Sequence, residues 1–310
     1  MTSNPSGYPN RESISGAIPV DHIFLLAGVW LKSYEEYATW HAAAETELQR
    51  RLEWESAVPE TSGIHETPGY CYLCKKKTQF ASSFRNSIRY PNGKNTINWR
   101  EQLRCRFCGM FSRWRASIHI FEQEFQPLAS ARIYMTEQTT ALFQWVKEHY
   151  PHTCGSEFFG DSFAFGAYNA NFVRNEDLTQ LTYATEIFDS ILSFDVFEHI
   201  PDYQQAFREC WRCLKRDGIL MFSVPFSADS EKNLVRAVRD EAGRIQHILP
   251  PEIHGNPVSA TGSLCYRYFG WEMLAELKQA GFRDSGAFLY WSEELGYMGW
   301  GKQFMFYAKK

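Results

Sequence analysis

Two cysteine pairs, Cys71-x-x-Cys74 and Cys105-x-x-Cys108, stand thirty residues apart, and no other feature limits the local fold so tightly. A CxxC turn presents two thiolates from one short loop, and two such turns supply the four soft ligands of a tetrahedral zinc ion. Gly109 follows the second pair, where the turn needs backbone freedom. The interval is longer than a ribbon usually has, and a hairpin between the knuckles absorbs the excess. Four core cysteines that happen to pair are the alternative. An all-thiolate site has no open position for substrate, so Cys71, Cys74, Cys105 and Cys108 predict a structural zinc. Cys210 and Cys213 also spell CxxC, but within an amphipathic helical pattern that favours packing over redox chemistry.

Around this module the texture changes twice. Residues 1 to about 20 carry Pro, Gly, Ser and Asn and predict a mobile arm. From Asp21 to about Trp54 apolar residues recur at helical steps, which predicts a helical hairpin or two helices closed by Pro59 and Gly63. After Ala129 strand-like runs alternate with amphipathic helices, as in an α/β sheet protein. Strands are expected at ARIYM, TCGSEFF, NFVRNED, FDSILSFDVF and GILMFSVPF, and helices at TTALFQWVKEHY and QQAFRECWRCLK. Residues 234–249 read as an inserted β-hairpin. A helix from Trp271 to Ala280 and strands around 286–291 and 303–308 complete the set.

With 32 basic and 36 acidic residues the net charge is −4, which weighs against wholesale capture of nucleic acid. The apolar run from Ile23 to Trp30 falls far short of the roughly 20 residues of a membrane span. The first residues lack a basic-then-apolar signal, so a cytoplasmic protein with no membrane partner is expected. Aromatic residues make up 16% of the chain, which suits large buried rings or a pocket lined by them.

The segment FDSILSFDVFEHIPDYQQAFRECWRCLKRDGILMFSVPF has a Phe-Asp opening, an apolar strand, an Asp-x-x-Glu-His-x-Pro-Asp turn and a helix ending in Leu-Lys-x-x-Gly. It resembles the fourth strand, following helix and fifth strand of class I S-adenosylmethionine-dependent methyltransferases of type 11. With flanking elements the resemblance covers about Ala131 to Lys310. WREQLRCRFCG resembles an N-terminal region found on some relatives. The resemblance implies a Rossmann-like, seven-stranded α/β sheet over 117–310 with a lid insertion near 226–270. A zinc-ribbon-like module over 67–116 and an arm with helices over 1–66 would precede it.

S-adenosylmethionine is the cofactor so implied. Glu157, at the end of the second strand, would bind the ribose, since two carboxylate oxygens match a vicinal diol. Asp177 would meet the adenine amino group, with Leu178 beside it. Phe194 and Asp195 would lie by the methionine moiety or methyl sulfonium, at the carboxyl end of the fourth strand. The departure from the family is the loop after the first strand, which reads MTEQTTAL and has no glycine. Thr136, Glu137, Gln138 and Thr139 would there offer side chains to the cofactor's amino-acid end, and Thr139 or Thr140 would cap the next helix.

Asp195, Glu198 and His199 at i, i+3 and i+4 would share one face of a helical turn, with His254 arriving from PPEIHGNP. Two carboxylates and imidazoles suit a second, divalent metal. The arrangement resembles metal-dependent methyltransferases of ubiquinone synthesis and of small-RNA 3′ ends. The competing readings are a turn merely held by hydrogen bonds, and His199 or His254 as an unassisted general base. Arg236, Arg239 and Arg244 would sit on the lid and meet an anionic acceptor.

The expected activity is methyl transfer to oxygen or nitrogen of a small-molecule acceptor, with Asp195, His199 and His254 as catalytic groups. One alternative is a scaffold whose cofactor site has degenerated. The other is an RNA methyltransferase, with Arg85, Arg89, Arg100, Arg104, Arg106, Arg113 and Arg115 tracking phosphates between stacking rings. Neither the acceptor's identity nor the oligomeric state leaves a mark in the sequence.

Overall fold

The computed structural model describes residues 25–310. The expected arm over 1–20 and the start of the expected helix at Asp21 lie outside the described residues.

The first described element is a strand, β1 (Gly28–Leu31), where helical spacing predicted a helix. Its pairing with Asp284–Tyr290 outweighs the spacing: Gly28 lies where a side chain would strike the Phe288 ring, and Trp30 packs on Phe288 and Tyr307. The expected helical pair is one helix, α1 (Tyr34–Glu55), capped by the Ser33 hydroxyl accepting from Glu36 N. Tyr37 packs against Trp271 and Phe304 of the sheet half, while Glu55 at the far end is buried.

Strands β2 (His65–Cys71), β3 (Lys76–Ser82) and β4 (Arg104–Cys105) form a small antiparallel sheet. The turn between β2 and β3 is the first knuckle, and the second follows β4 at once. Phe80, Tyr90, Ile97, Trp99 and Leu103 make the module's core, and Met298 from the far end of the chain inserts into it. Helix α2 (Ser112–Ile120) leaves the module and runs across the expected boundary at 116, placing Ile118 and Ile120 in the core of the main sheet. Its buried Arg115 donates to Leu103 O, Leu295 O and Gly296 O, so module and sheet half share one interior.

The sheet half runs β5 (Ile133–Met135), α3 (Ala141–His149), β6 (Cys154–Gly155), β7 (Phe188–Phe194), α4 (Tyr203–Cys213) and β8 (Leu214–Ser223). Two inserted hairpins follow: β9 (Ala237–Arg239) with β10 (Ile245–His247), and β11 (Ile253–Asn256) with β12 (Ser259–Leu264). Helix α5 (Glu272–Gln279) and strands β13 (Asp284–Tyr290) and β14 (Gln303–Lys309) complete it. The seven-stranded sheet has the order β1-β13-β14-β8-β7-β5-β6. Strands β6, β5, β7 and β8 are parallel, and β14 enters antiparallel between β8 and β13.

The strand expected at NFVRNED shrinks to two isolated bridges, Asn175 with Glu157 and Arg174 with Tyr168. Polar side chains divert the backbone there. Asn169 accepts from Asn171 N and Val173 N, and fully buried Asn175 bonds Phe159 N, Gly160 O and Phe163 O. The count of seven is reached because β1 adds to the opposite edge. In α4 the residues Tyr203, Ala206, Phe207, Cys210 and Cys213 recur at helical steps and are buried. Burial pushes the thiols of Cys210 and Cys213 up, as packing residues require.

Candidate active site

A cleft of about 2280 Å³ crosses the carboxyl ends of β5, β7 and β8. Pockets for one small ligand run to about 1,000 Å³, so this one has room for a nucleoside-sized cofactor and a second molecule. Glu137, Glu157 and Asp177 line one end; Glu198, His199 and His254 line the other, beneath the inserted hairpins.

At the first end the glycine-free loop is held by side chains. Glu157 Oε1 accepts from Gln138 N at 2.9 Å, Thr139 N at 2.9 Å and Thr139 Oγ1 at 2.7 Å. Thr136 Oγ1 donates to Ser193 Oγ, and the Gln138 side chain bridges Phe172 O and Arg174 N. No residue from 136 to 140 takes a left-handed backbone, so the loop needs no glycine. Close approach is provided by the neighbour instead: a side chain on Gly155 would meet Glu137 O at 2.6 Å. Thr140 caps α3 by accepting from Phe143 N. Glu157 thus has one oxygen in the loop, and its Oε2 meets no donor among the described residues. Asp177 folds back, Oδ1 accepting from Thr179 N and Oγ1. Leu178 and Phe194 are buried and line the cleft between these acids. Burial raises the Glu137 carboxyl to about 7, with Arg113 nearby opposing the shift, and Glu137 Oε1 is buried without a partner.

Asp195 stands elsewhere than the i, i+3, i+4 spacing put it. The residue takes a left-handed backbone (φ 55°) and Phe197–His199 is a 3₁₀ turn, so Asp195 leaves the face of Glu198 and His199. Arg100 grips it with two bonds, Nη1 to Oδ2 at 2.9 Å and Nη2 to Oδ1 at 2.7 Å, and Ser223 donates a third. Arg113 Nε lies 3.4 Å from Asp195 Oδ2 and bonds Glu101 through both oxygens. These cations hold the Asp195 carboxyl well below the usual range despite burial. Its carboxylate is therefore engaged, and it joins no metal-ligand group among the described residues.

Arg100 and Arg113 are the site residues that sequence reasoning missed; it read them only as part of a phosphate-tracking series. Of that series, Arg115 is buried on carbonyls, Arg104 bonds Gly109 O, Arg89 bonds Gly93 O and Arg106 pairs with Glu66. Nor do the lid arginines behave as one set. Arg236 is tied to Pro250 O and Glu252, Arg244 to Asp240, and Arg239 lines the cleft.

At the other end, Glu198 is fully buried and neither carboxylate oxygen has a hydrogen-bond partner. His199 Nε2 and His254 Nδ1 each lie 3.6 Å from its Oε1, beyond hydrogen-bond reach but converging on it. Both imidazoles are held from behind: His199 Nδ1 contacts Leu264 O at 2.8 Å, and His254 Nε2 contacts Glu252 Oε1 at 3.0 Å. Glu252 is itself anchored by Arg236 and Tyr268. One ligand atom from each of Glu198, His199 and His254 lies within 4.8 Å of the others. Burial raises the Glu198 carboxyl, while Cys265 and Glu198 lift the His254 imidazole to about 11.

The four cysteines converge as the spacing implied. Cys71 Sγ lies 3.8 Å from Cys108 Sγ and Cys74 Sγ 3.9 Å from Cys105 Sγ, all four within 4.8 Å of one another. For zinc–sulfur bonds of about 2.3 Å a tetrahedron has edges of about 3.8 Å, so the set fits the ion. A hydrogen bond from Cys108 favours the Cys71 thiolate, and burial with that charge pushes Cys74 up.

Residues 132–222 match the model of a methyltransferase domain family. No curated protein matches the chain. Among solved structures, Streptomyces venezuelae DesVI is similar at 13% identity and a TM-score of 0.41, over 64% of this chain and 92% of that one. An S-adenosylmethionine-dependent methyltransferase from Mesorhizobium loti is similar at 16% identity and a TM-score of 0.39, over 66% of this chain and 100% of that one. So is a Burkholderia thailandensis 1,6-didemethyltoxoflavin-N1-methyltransferase, at 16% identity and 0.36, over 64% and 77%. No helix among the described residues is long and apolar enough to cross a membrane. The sheet is threaded in the class I methyltransferase order, and residues 132–222, which hold its parallel strands β5, β6 and β7, match a methyltransferase domain.

Proposed function

We propose that the protein transfers the methyl group of S-adenosylmethionine to oxygen or nitrogen of a small-molecule acceptor held beneath the inserted hairpins. Zinc bound by Cys71, Cys74, Cys105 and Cys108 fixes the module that walls the cleft. The cofactor's adenosine lies between Glu157 and Asp177, which line the cleft, and its sulfonium end by Phe194. The loop without glycine supports this reading, because its backbone is already held in place by Glu157.

The observation that carries the catalytic assignment is the unpartnered carboxylate of Glu198 between two converging imidazoles. An ionised carboxylate buried without hydrogen bonds is too costly to be a packing residue. Glu198, His199 and His254 fit a divalent ion of borderline hardness, with Leu264 O and Glu252 setting the tautomers that turn lone pairs inward. When bound, that ion would lower the acceptor's pKa and orient it toward the methyl group. The chain's own part is positioning. β11 and β12 supply His254 and the carbonyl that aims His199, and they close the cleft over the acceptor. Arg239 is the lid cation left to meet an anionic group on that acceptor.

Two titrations test the reading. Calorimetry of zinc-loaded protein with S-adenosylhomocysteine should show binding that Glu157→Ala loses. Manganese paramagnetic resonance should show a bound ion that Glu198→Gln loses. Folded, zinc-loaded protein that binds no S-adenosylhomocysteine would return the degenerate scaffold to first place.

A further inference from the structure

The cysteine module touches the sheet half at the point where the amino-acid end of the cofactor has to lie, if the binding mode proposed above is right. Thr136 and Ser193 are bonded across β5 and β7, which sets Glu137 and Asp195 side by side at the head of the sheet. Charges are present there in unequal states of engagement. Asp195 is gripped by Arg100 and Ser223, and Glu101 by Arg113 Nε. Arg113 bonds Glu101 through Nε and lies against the rings of Phe111 and Trp114, and Glu137 Oε1 is buried without a hydrogen-bond partner. Both residues line the cleft, and no salt bridge joins them. A guanidinium held by Nε and a carboxylate with one unpartnered oxygen, both lining one cavity, are the complement of a zwitterion.

We propose that the cysteine module completes the cofactor site, with Arg113 taking the carboxylate and Glu137 the ammonium of the cofactor's amino-acid end. This rests on the cofactor reading above. It assigns to the module a recognition role in addition to its scaffold role, since Arg113 stands five residues after Cys108 and is aimed by the knuckle's own fold. It also explains how the loop dispenses with glycine. The contacts that close backbone approach gives elsewhere are here made by a side chain from β5's loop and another from outside the sheet. Asp195, expected beside the methionine moiety, instead orders the two arginines and leaves Glu137 as the acid that meets the ligand.

Two ligands separate the amino-acid end from the rest. S-adenosylhomocysteine has the zwitterion; 5′-methylthioadenosine keeps the nucleoside and thioether and lacks it. Both are titrated calorimetrically into the zinc-loaded full chain and its variants. Arg113→Met should weaken S-adenosylhomocysteine by about thirtyfold or more, the worth of a charge-assisted bond, and leave 5′-methylthioadenosine within about twofold. Glu137→Gln should show the same selectivity at about tenfold, and it tests the site independently should Arg113→Met not fold. Equal losses for both ligands, or none for either, would overturn the assignment while leaving the cofactor reading standing. Wild-type protein that binds neither ligand would overturn both.

Discussion

Two clusters among the described residues that share no side chain could each hold a cation, and they differ in the respects that matter to chemistry. The four cysteines come from two knuckles of one small sheet, face one another, and leave no direction from which a substrate could approach. Glu198, His199 and His254 come from the turn after β7 and from an inserted hairpin, and they border a large cleft. Four soft ligands in a closed tetrahedron favour folding; three harder ones with an open side favour catalysis. In the second cluster outer partners fix each histidine's orientation, Leu264 O for His199 and Glu252 for His254.

The largest effect should follow from breaking the closed cluster. Cys105→Ser, or stripping of zinc by a chelator, removes an ion whose binding contributes on the order of 10 kcal/mol to folding. Because Arg115 and Met298 tie the module to the sheet, the thermal midpoint of the whole chain should fall, and calorimetry should show cofactor binding lost with it. Independent melting of the module would break the comparison.

Glu198→Gln should come next and look opposite. Methyl transfer should drop by about 10²–10⁴-fold, the usual span for a lost acid–base or metal-orienting group. The thermal midpoint should not fall, because the carboxylate contributes no hydrogen bond to the fold. A clear loss of stability would make Glu198 a structural residue and sink the catalytic role. Glu157→Gln should then cost about tenfold in S-adenosylhomocysteine affinity, through one weakened charge-assisted bond, in a calorimetric titration.

The smallest effect is a pH dependence. The Glu137 carboxyl, raised to about 7, is partly protonated near neutrality, and an ammonium binds its ionised form. Protonation therefore competes with the ligand. Affinity for S-adenosylhomocysteine should fall by about tenfold for a pH unit well below 7, and level off above it. Arg113, Thr140, Glu157 and Asp195 face this carboxyl. Glu137→Gln should flatten the profile; an unchanged slope in that variant assigns the titration to another group.

Much of this was legible in the residues, for reasons that differ by element. The knuckles could be read because zinc geometry fixes both residue type and spacing. The strand at FDSILSF and the helix α4 could be read because burial enforces their periods. Gln138 and Thr139 were expected to offer side chains to the cofactor's amino-acid end; in the structure Glu157 accepts from both, which spacing does not reveal. β1 was misread because four residues pairing at a sheet edge can carry helical spacing by accident. Asp195 was misplaced because a left-handed residue broke the assumed turn, and only tertiary contact with Arg100 holds it there. Arg100 and Arg113 lie more than eighty residues away along the chain, so no local pattern could announce them.

Glu55 sets the terms on which the chain can be dissected. Its two oxygens accept from Tyr90 of the module and from Trp291, Gly299 N and Gly301 N of the closing loop, while its backbone belongs to α1. A fragment cut after residue 66 would keep all these donors and lose their common acceptor. The N-terminal helix is thus the keystone of the arch rather than its porch, and a module or sheet cut free of it would leave those donors without the carboxylate they share.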